Sequence, residues 1–161
     1  TLLGSGTILR ECLAAAELLE KEFGVPADVY SVTSFSELRR EALEAERWNL
    51  LHPTEPARVP YVRECLRDRE GPFVAATDYV KTVPDQVRQW VPGRYVVLGT
   101  DGYGRSDARA ALRSHFEVDR RYIAVAALKA LADEGKIDVA TVSGAMQKLG
   151  IDPSKPNPAT A

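Results

Sequence analysis

The sequence lacks the features that mark several whole classes of proteins. It has two cysteines, Cys12 and Cys65, and neither lies in a Cys-x-x-Cys or Cys/His spacing. This excludes a disulfide scaffold and a zinc finger, and it favours a reducing cytoplasm. No apolar run approaches the roughly 20 residues that span a bilayer, and the first residues resemble no signal peptide. We therefore expect a cytoplasmic protein without membrane contact.

An excess of charge of one sign is also missing. The 21 basic and 23 acidic residues give a formal net charge of −2, so nothing global attracts nucleic acid or an anionic membrane. A chain of 161 residues fits one domain, which can bury roughly two-thirds of its unfolded surface. It begins without methionine on what reads as the end of a strand, Thr1–Leu3. We expect it to be a fragment of something longer.

Short apolar segments alternate with helical patterns. Residues 1–3, 28–33, 73–76 and 95–98 are predicted strands. Helices are predicted over about 8–23, 37–51, 62–67, 84–90, 108–115, 120–134 and 138–150. This alternation predicts an α/β fold with three layers, in which helices cover both faces of a mostly parallel sheet. We assign residues 1–152 to this domain and residues 153–161 to a tail.

Two of the predicted helices have unusual faces. The helix at 120–134 is apolar almost all round, which predicts burial between layers or in an oligomer interface. The helix at 37–51 is capped by Ser34 or Ser36, and its many charges predict a solvated face or a rim against another domain.

The first glycine-rich turn, Gly4-Ser5-Gly6, precedes a helix and suggests a dinucleotide site. Leu9 stands where that fingerprint needs its third glycine, so a simple tight turn is favoured. Cys12 lies on the buried stripe of the helix and is predicted to be an inert core thiol. His52 lies beside a proline and near no nucleophile motif, so we interpret it as a loop hydrogen-bonding residue rather than a general base.

The most distinctive stretch is Gly99–Asp107, Gly-Thr-Asp-Gly-Tyr-Gly-Arg-Ser-Asp. It follows a predicted strand, and loops at the carboxyl ends of strands face ligands and partners in open α/β sheets. Asp101 and Arg105 are predicted to pair with each other and with backbone. Ser106 is predicted to cap the next helix, with Asp107 in its first turn. The candidate contact residues are Asp101, Tyr103, Arg105, Ser106 and Asp107.

This loop fits none of the specific cofactor motifs. Its Gly-x-x-Gly-x-Gly spacing reverses the dinucleotide pattern. Thr100-Asp101-Gly102 is similar to the start of the thiamine-diphosphate signature, but that signature needs an asparagine further along, and asparagine occurs only at positions 49 and 157. Two alternatives stay open: Asp78, Asp101 and Asp107 converge on a cation, or the loop binds an anion or nucleotide near Arg105.

Several longer segments together resemble one family, the carboxyl-terminal domain of the homodimeric bacterial pyruvate dehydrogenase decarboxylating components. The similarity extends over essentially the whole chain. The segments that carry it are Val32–Arg40, Glu46–Pro53, Val59–Val62, Ala75–Tyr79, Tyr95–Asp107 and His115–Asp119.

The resemblance implies a parent oxidoreductase of the transketolase type. Such a parent decarboxylates pyruvate and transfers acetyl to the lipoyl group of the dihydrolipoyl acetyltransferase component. Its amino-terminal and middle domains hold thiamine diphosphate and magnesium across a homodimer interface. The third domain, with a mixed sheet of about five strands, supplies no catalytic, cofactor or metal residue. It serves dimer assembly and packing at the active-site entrance.

Overall fold

Four strands form the central sheet of the computed structural model, which describes residues 1–160. All neighbouring strands are parallel, in the order β2–β1–β3–β4. The strands are β1 (Leu2–Gly4), β2 (Val29–Ser31), β3 (Phe73–Ala76) and β4 (Tyr95–Leu98).

The α/β prediction is confirmed, with a smaller and more regular sheet than expected. Within residues 1–160 there are four strands rather than about five, and no pair is antiparallel, so this sheet is parallel and not mixed. The reason lies in the sequence, since only four segments carry a strand pattern. The fifth strand came from the resemblance alone.

Seven helices and two 3₁₀ turns connect and cover the strands of the described chain. The helices are α1 (Leu9–Phe23), α2 (Phe35–Leu51), α3 (Tyr61–Leu66), α4 (Thr82–Asp85), α5 (Arg109–His115), α6 (Arg120–Asp133) and α7 (Val139–Lys148), and the 3₁₀ turns are Gly6–Ile8 and Arg88–Trp90.

Side chains alternate across the sheet and build two cores. Leu2 and Val74 face one core, in which α1, α6 and α7 pack. Leu3 and Ala75 face the other, which is closed by residues of α2 and α3. This period of two is what a strand covered on both faces requires, and it explains the three layers.

The predicted helix at 84–90 is wrong. α4 ends at Asp85, and a separate 3₁₀ turn follows at Arg88–Trp90. A continuing helix would need the Pro84 carbonyl to accept a hydrogen bond from the N–H of residue 88. That carbonyl instead accepts a hydrogen bond from the Tyr95 hydroxyl at 2.8 Å. The helix therefore ends next to a contact with β4.

Other helix boundaries follow the caps read from the sequence. The Ser34 hydroxyl accepts a hydrogen bond from the Glu37 N–H at 3.2 Å, which identifies Ser34 rather than Ser36 as the cap of α2. The Asp119 and Asp138 carboxylates cap α6 and α7 in the same way. Each cap satisfies N–H groups that the first helical turn leaves unpaired.

The apolar helix α6 is buried between layers, as its sequence predicts. It packs against α1, α7 and the sheet strands β3 and β4. Ile123, Ala124 and Leu128 are inaccessible to solvent. Within residues 1–160, no helix is both long enough and apolar enough to cross a bilayer.

Residues 153–160 of the predicted tail fold back on the domain. The Lys155 ammonium donates to the His115 carbonyl at 2.7 Å and to the Glu117 carboxylate at 2.9 Å. Pro158 is buried. The last residue of the predicted tail, residue 161, lies outside the described residues.

Cys12 is fully buried in the core that α1, α6 and α7 form against the sheet, which confirms its prediction as a core residue. Burial, together with the charge of Glu11, raises its pKa to about 12, so almost no reactive thiolate forms near neutrality.

We expect iodoacetamide at pH 8 to modify only the half-buried Cys65 in the folded chain, and both thiols after denaturation. A Cys65→Ser variant is the control: rapid labelling of this folded variant would contradict the prediction.

Candidate functional site

Polar residues collect where the parallel strands end. In the sheet, β2 lies on one side of β1 and β3 lies on the other, and the chain leaves β1 towards β2. The Ser5 hydroxyl, just after β1, donates to the Thr77 hydroxyl, just after β3, at 2.7 Å. Thr77 is fully buried, and its hydroxyl also accepts the N–H of Tyr79 at 3.2 Å. These bonds fix the point at which the strand order reverses, where ligands bind in open α/β folds.

The loop after β4 is held firmly against the loop after β3. The Thr100 N–H donates to the Tyr79 carbonyl at 2.9 Å, and its hydroxyl donates to the Asp78 carbonyl at 2.7 Å. The Asp101 carboxylate accepts the Lys81 N–H at 2.8 Å. The predicted hydrogen bond between Asp101 and backbone is confirmed, and the loop between strand and helix has a fixed beginning. The predicted pairing of Asp101 with Arg105 stays a prediction.

Helix α5 begins later than predicted. Its cap position is Ala108, which provides no side-chain hydrogen bond, so the assignment of Ser106 as the cap is wrong. Asp107 lies before the helix and not in its first turn. Its carboxylate accepts the Ala108 N–H at 2.6 Å. Ala108 itself is extended, at φ −62° and ψ 147°.

The alternative cation site is also wrong. The Asp101 carboxylate accepts a hydrogen bond from the Lys81 N–H, and the Asp107 carboxylate accepts one from the Ala108 N–H. The Asp78 carboxylate accepts a hydrogen bond from the Thr7 hydroxyl at 3.4 Å. Among the 160 described residues, no group of three or more acidic, histidine or cysteine side chains is arranged to hold a metal ion.

The five predicted contact residues lie together on one loop, and four of them face solvent. The Tyr103 side chain is 85% exposed, while Asp101 is partly buried. Nearby, Tyr79 and Val80 are also exposed. An exposed group of aromatic and apolar side chains is typical of a contact surface.

A cleft of about 440 Å³ opens beside this loop. Arg105, Arg109 and Arg113 line it, together with Thr7, Asp78 and Thr100 at the strand ends. Its apolar lining comes from Ile8, Leu112, Phe116 and Val118. The cleft is formed by residues from three strand ends and α5.

Glu11 is the residue at this site that sequence reasoning missed. Its side chain is 6% exposed, and its carboxylate accepts hydrogen bonds from Arg113 at 2.9 Å and from Arg120 at 3.0 Å. The Arg120 backbone N–H adds a third at 3.1 Å. Burial alone would raise the pKa of this carboxyl, but the hydrogen bonds and charge of Arg120, with the charge of Arg113, hold the pKa below its usual value.

Neither histidine is placed to activate a nucleophile. The His52 ring stacks on Trp48 at 4.4 Å, and its Nδ1 lies 2.8 Å from the Trp48 carbonyl. This confirms the interpretation of His52 as a hydrogen-bonding loop residue. The Nε2 atom of His115 is buried without a hydrogen-bond partner. In the described chain, neither ring bonds a serine or cysteine side chain.

The Gly4-Ser5-Gly6 turn is a tight packing turn. A Cβ on Gly4 would lie 2.8 Å from the Leu9 Cα, so glycine allows α1 to begin directly against β1. A Cβ on Gly6 would lie 3.0 Å from the Asp78 carboxylate. A carboxylate therefore occupies the space beside this turn that a phosphate would need.

Comparison with known families settles the kind of domain. Residues 1–119 match the family described as "Transketolase-like TK C-terminal domain". The chain belongs to this family.

Three relatives of this transketolase-like C-terminal domain are described as "Pyruvate dehydrogenase E1 component". That of Pseudomonas aeruginosa is 58% identical over 98% of this chain, and that of Escherichia coli K12 is 55% identical over 99%. That of Mycolicibacterium smegmatis is 46% identical over 94%. The chain spans 18%, 18% and 16% of these three proteins, respectively.

A solved structure supports the same fold. It is described as "Split gene transketolase, inactive beta4 tetramer" and is 20% identical, with a TM-score of 0.55. The similarity covers 81% of this chain and 38% of the other. At this identity it establishes the α/β architecture of a transketolase-like C-terminal domain, and nothing about activity.

Proposed function

We propose that this chain is the carboxyl-terminal domain of a pyruvate dehydrogenase E1 component. The observation that carries the proposal is sequence identity of 55–58% to relatives of that description over 98–99% of the chain. The parent would be an oxidoreductase that decarboxylates pyruvate and transfers acetyl to the lipoyl group of the acetyltransferase component. Its cytoplasmic location and its homodimeric state belong to the same proposal.

The domain itself is proposed to be structural. Thiamine diphosphate and magnesium would be held by other domains, because the donors present here do not fit them. Asp101 already binds the Lys81 N–H. The Asn49 side-chain amide is engaged with the backbone of Arg58, and the side-chain amide oxygen of Asn157 accepts a hydrogen bond from the Ala159 N–H. Among residues 1–160, no aspartate–asparagine pair is available as in the cofactor signature.

The loop residues Asp101, Tyr103, Arg105, Ser106 and Asp107 are proposed to contact the amino-terminal and middle domains near the active-site entrance. Two features support this role. Asp101 fixes the start of the loop, and Tyr103, which is 85% exposed, projects from it. A loop that has a fixed start and carries an exposed aromatic side chain has the composition of an interface anchor.

The test compares the full-length protein with this chain alone. We expect the full-length protein, with thiamine diphosphate and magnesium, to acetylate the lipoyl domain of its acetyltransferase component in a pyruvate-dependent reaction. The isolated chain should show no turnover and no heat of cofactor binding in isothermal titration. Full-length protein without pyruvate-dependent activity would contradict the proposed parent. Saturable micromolar cofactor binding by the isolated chain would contradict its structural role.

Substitution of Tyr103 separates the loop's role from general stability. In the full-length protein, Tyr103→Ser should weaken assembly or catalysis and leave the unfolding of the isolated domain unchanged, because the side chain makes little contact within it. Val139→Ser, at another exposed apolar position, is the matched control. Equal behaviour of the two full-length variants would remove Tyr103 from the proposed contact.

A further inference from the structure

The segment between the candidate loop and α6 has little packing of its own. None of the seven residues of α5 is buried in the part of the chain that the structure describes, and the cap position provides no side-chain hydrogen bond. A helix of about two turns is marginal in water without tertiary contacts. Asp101 and Arg113 each fix one point of this segment. The remaining support must come from elsewhere in the chain.

The tail contacts the far end of this segment. The Lys155 ammonium donates to the carbonyl of His115, the last residue of α5, at 2.7 Å. A cation is favourable there, because the last carbonyls of a helix have no partner within it. The Lys155 side chain is 23% exposed, and its ammonium lies 5.8 Å from the centroid of the Tyr122 ring. The contact is therefore partly sheltered from water.

Lys155 also binds a glutamate that has an unfavourable backbone conformation. Glu117 follows α5 with φ 61°, and among residues 1–160 it is the only non-glycine residue with positive φ. Glycine is the usual residue at a left-handed position after a helix, because it has no Cβ to strain. The Glu117 carboxylate accepts a hydrogen bond from the Lys155 ammonium at 2.9 Å. This bond is what a glutamate adds at a corner that glycine would fit better.

The other end of the tail lies against the candidate loop. Gly102 has φ 106°, and the Pro158 carbonyl oxygen occupies the space that a Cβ on Gly102 would need. The same Cβ would lie 3.1 Å from the Ala159 Cα. Pro158 itself is buried. Backbone therefore packs directly on backbone here, and the tail touches both ends of the segment 102–115.

The tail is shaped for this position by its own sequence. The Asp152 carboxylate accepts the Ser154 N–H at 2.8 Å, and the side-chain amide oxygen of Asn157 accepts the Ala159 N–H at 3.0 Å. Three prolines each fix a φ angle of the tail, at positions 153, 156 and 158. A segment restricted in this way loses less conformational entropy when it docks than a flexible segment does. Few contacts are then sufficient to hold it.

We propose that residues 153–160 are a strap that holds the loop and α5, residues 102–115, in one conformation. Lys155 anchors the strap at the corner after α5, and Pro158 lies on the loop at Gly102. Release of the tail should loosen the segment that carries Tyr103 while the sheet and α6 stay folded. The contact role of Tyr103 rests on the proposed function, but the strap does not depend on the identity of the parent enzyme.

Hydrogen exchange of the full-length protein, followed by mass spectrometry, measures this effect without reference to activity. The amides to follow are those of α5, where the Leu112 N–H donates to Ala108 and the Phe116 N–H donates to Leu112. In a variant that ends at Asp152, we expect these amides to exchange at least about tenfold faster, because the opening of α5 loses its charged anchor and its backbone contact. Amides of β1 and α6 should exchange as in the wild type.

Two point variants remove the anchor and leave the tail in the chain. Lys155→Met keeps an apolar stem beside Tyr122 and removes the ammonium, and Glu117→Gly removes the carboxylate at a position where glycine is unstrained. Both should accelerate exchange in α5, by less than the shortened variant does. Lys148→Met is the matched control, because the Lys148 ammonium pairs with Glu22 and lies 5.6 Å from the Phe23 ring. It should leave exchange in α5 unchanged.

Two results would overturn the proposal. The first is wild-type exchange of the α5 amides in the variant that ends at Asp152. The second is equal exchange of these amides in Lys155→Met and Lys148→Met, which would show that the Lys155 anchor holds nothing. If the shortened variant exchanges faster throughout, including β1 and α6, the two point variants decide, because each changes only one side chain.

Discussion

Replacing Glu11 by alanine should lower the free energy of unfolding by about 3 kcal/mol, near the lower end of the range for breaking a buried ion pair. The carboxylate is 6% exposed, and it accepts hydrogen bonds from both Arg113 and Arg120. Without this carboxylate, the positively charged guanidinium groups of Arg113 and Arg120 face each other across a cavity. Arg120 is 54% exposed, so water recovers part of the cost, which is why we expect the lower end.

Denaturant unfolding of the chain measures this effect. Glu11→Gln keeps the size and some hydrogen bonding but removes the charge, so its loss of stability should be intermediate. Glu20→Ala changes an exposed glutamate on the same helix and should cost less than about 0.5 kcal/mol. If the Glu11 and Glu20 variants unfold at the same denaturant concentration, the cluster does not stabilise the fold.

The contribution of Glu11 should also depend on pH. The pKa of Glu11 is lower in the folded chain than in the unfolded chain, where a glutamate titrates at about 4.3, because the hydrogen bonds from Arg120 and the charge of Arg113 outweigh burial. The stabilisation is therefore fully present above about pH 4.3 and is lost as pH falls through the folded pKa. The difference in unfolding free energy between wild type and Glu11→Gln should be constant from pH 6 to 8 and shrink in more acidic solution. A difference that grows on acidification would contradict this assignment.

Glu11 illustrates what the sequence could not predict. A glutamate in the first turn of a helix is ordinarily an exposed residue that favours the helix dipole. Its partners Arg113 and Arg120 lie 102 and 109 residues away in the sequence. Arg120 approaches Glu11 because α1 packs against α6, and Arg113 comes from the preceding helix, α5. The weak available signal was an acidic residue beside the buried stripe that contains Cys12.

Local signals, in contrast, predicted most of the fold. The strands Phe73–Ala76 and Tyr95–Leu98 have their predicted bounds, because a short apolar run between turns is sufficient to define a strand. The Asp119 cap also specifies the start of α6. The errors at 84–90 and Ser106 arise where a tertiary hydrogen bond or a competing local turn intervenes.

The position of the candidate site was predictable, but its composition was not. Loops at the carboxyl ends of parallel strands meet at one edge, so the sequence indicated Gly99–Asp107. Arg109 and Arg113 read in the sequence only as charges on a short helix. They join the cleft because α5 begins after Ala108 and lies over the strand ends.

Replacing Gly99 by alanine should separate the two loops that build this edge. A Cβ there would lie 2.6 Å from the Tyr79 carbonyl oxygen and 2.9 Å from the Lys81 nitrogen. Both are backbone atoms, so rotation of a side chain cannot relieve the overlap. We expect a loss of about 2–3 kcal/mol in unfolding free energy, the upper part of the range for overpacking a filled site.

The local consequence is the sharper test, because the same displacement must break specific bonds. The Thr100 N–H that donates to Tyr79 and the Lys81 N–H that donates to Asp101 should both exchange faster with solvent hydrogen in Gly99→Ala. Gly104→Ala is the matched control, since among residues 1–160 no atom outside Gly104 and its two chain neighbours lies within 4 Å of its Cβ position, and it should change neither stability nor exchange. Faster exchange at these two amides, with the strand amides of β1 unchanged, would show that Gly99 acts by letting the β3 and β4 loops approach. Unchanged exchange at both amides would mean that the edge accommodates the methyl group and that the loop contact is not what the glycine provides.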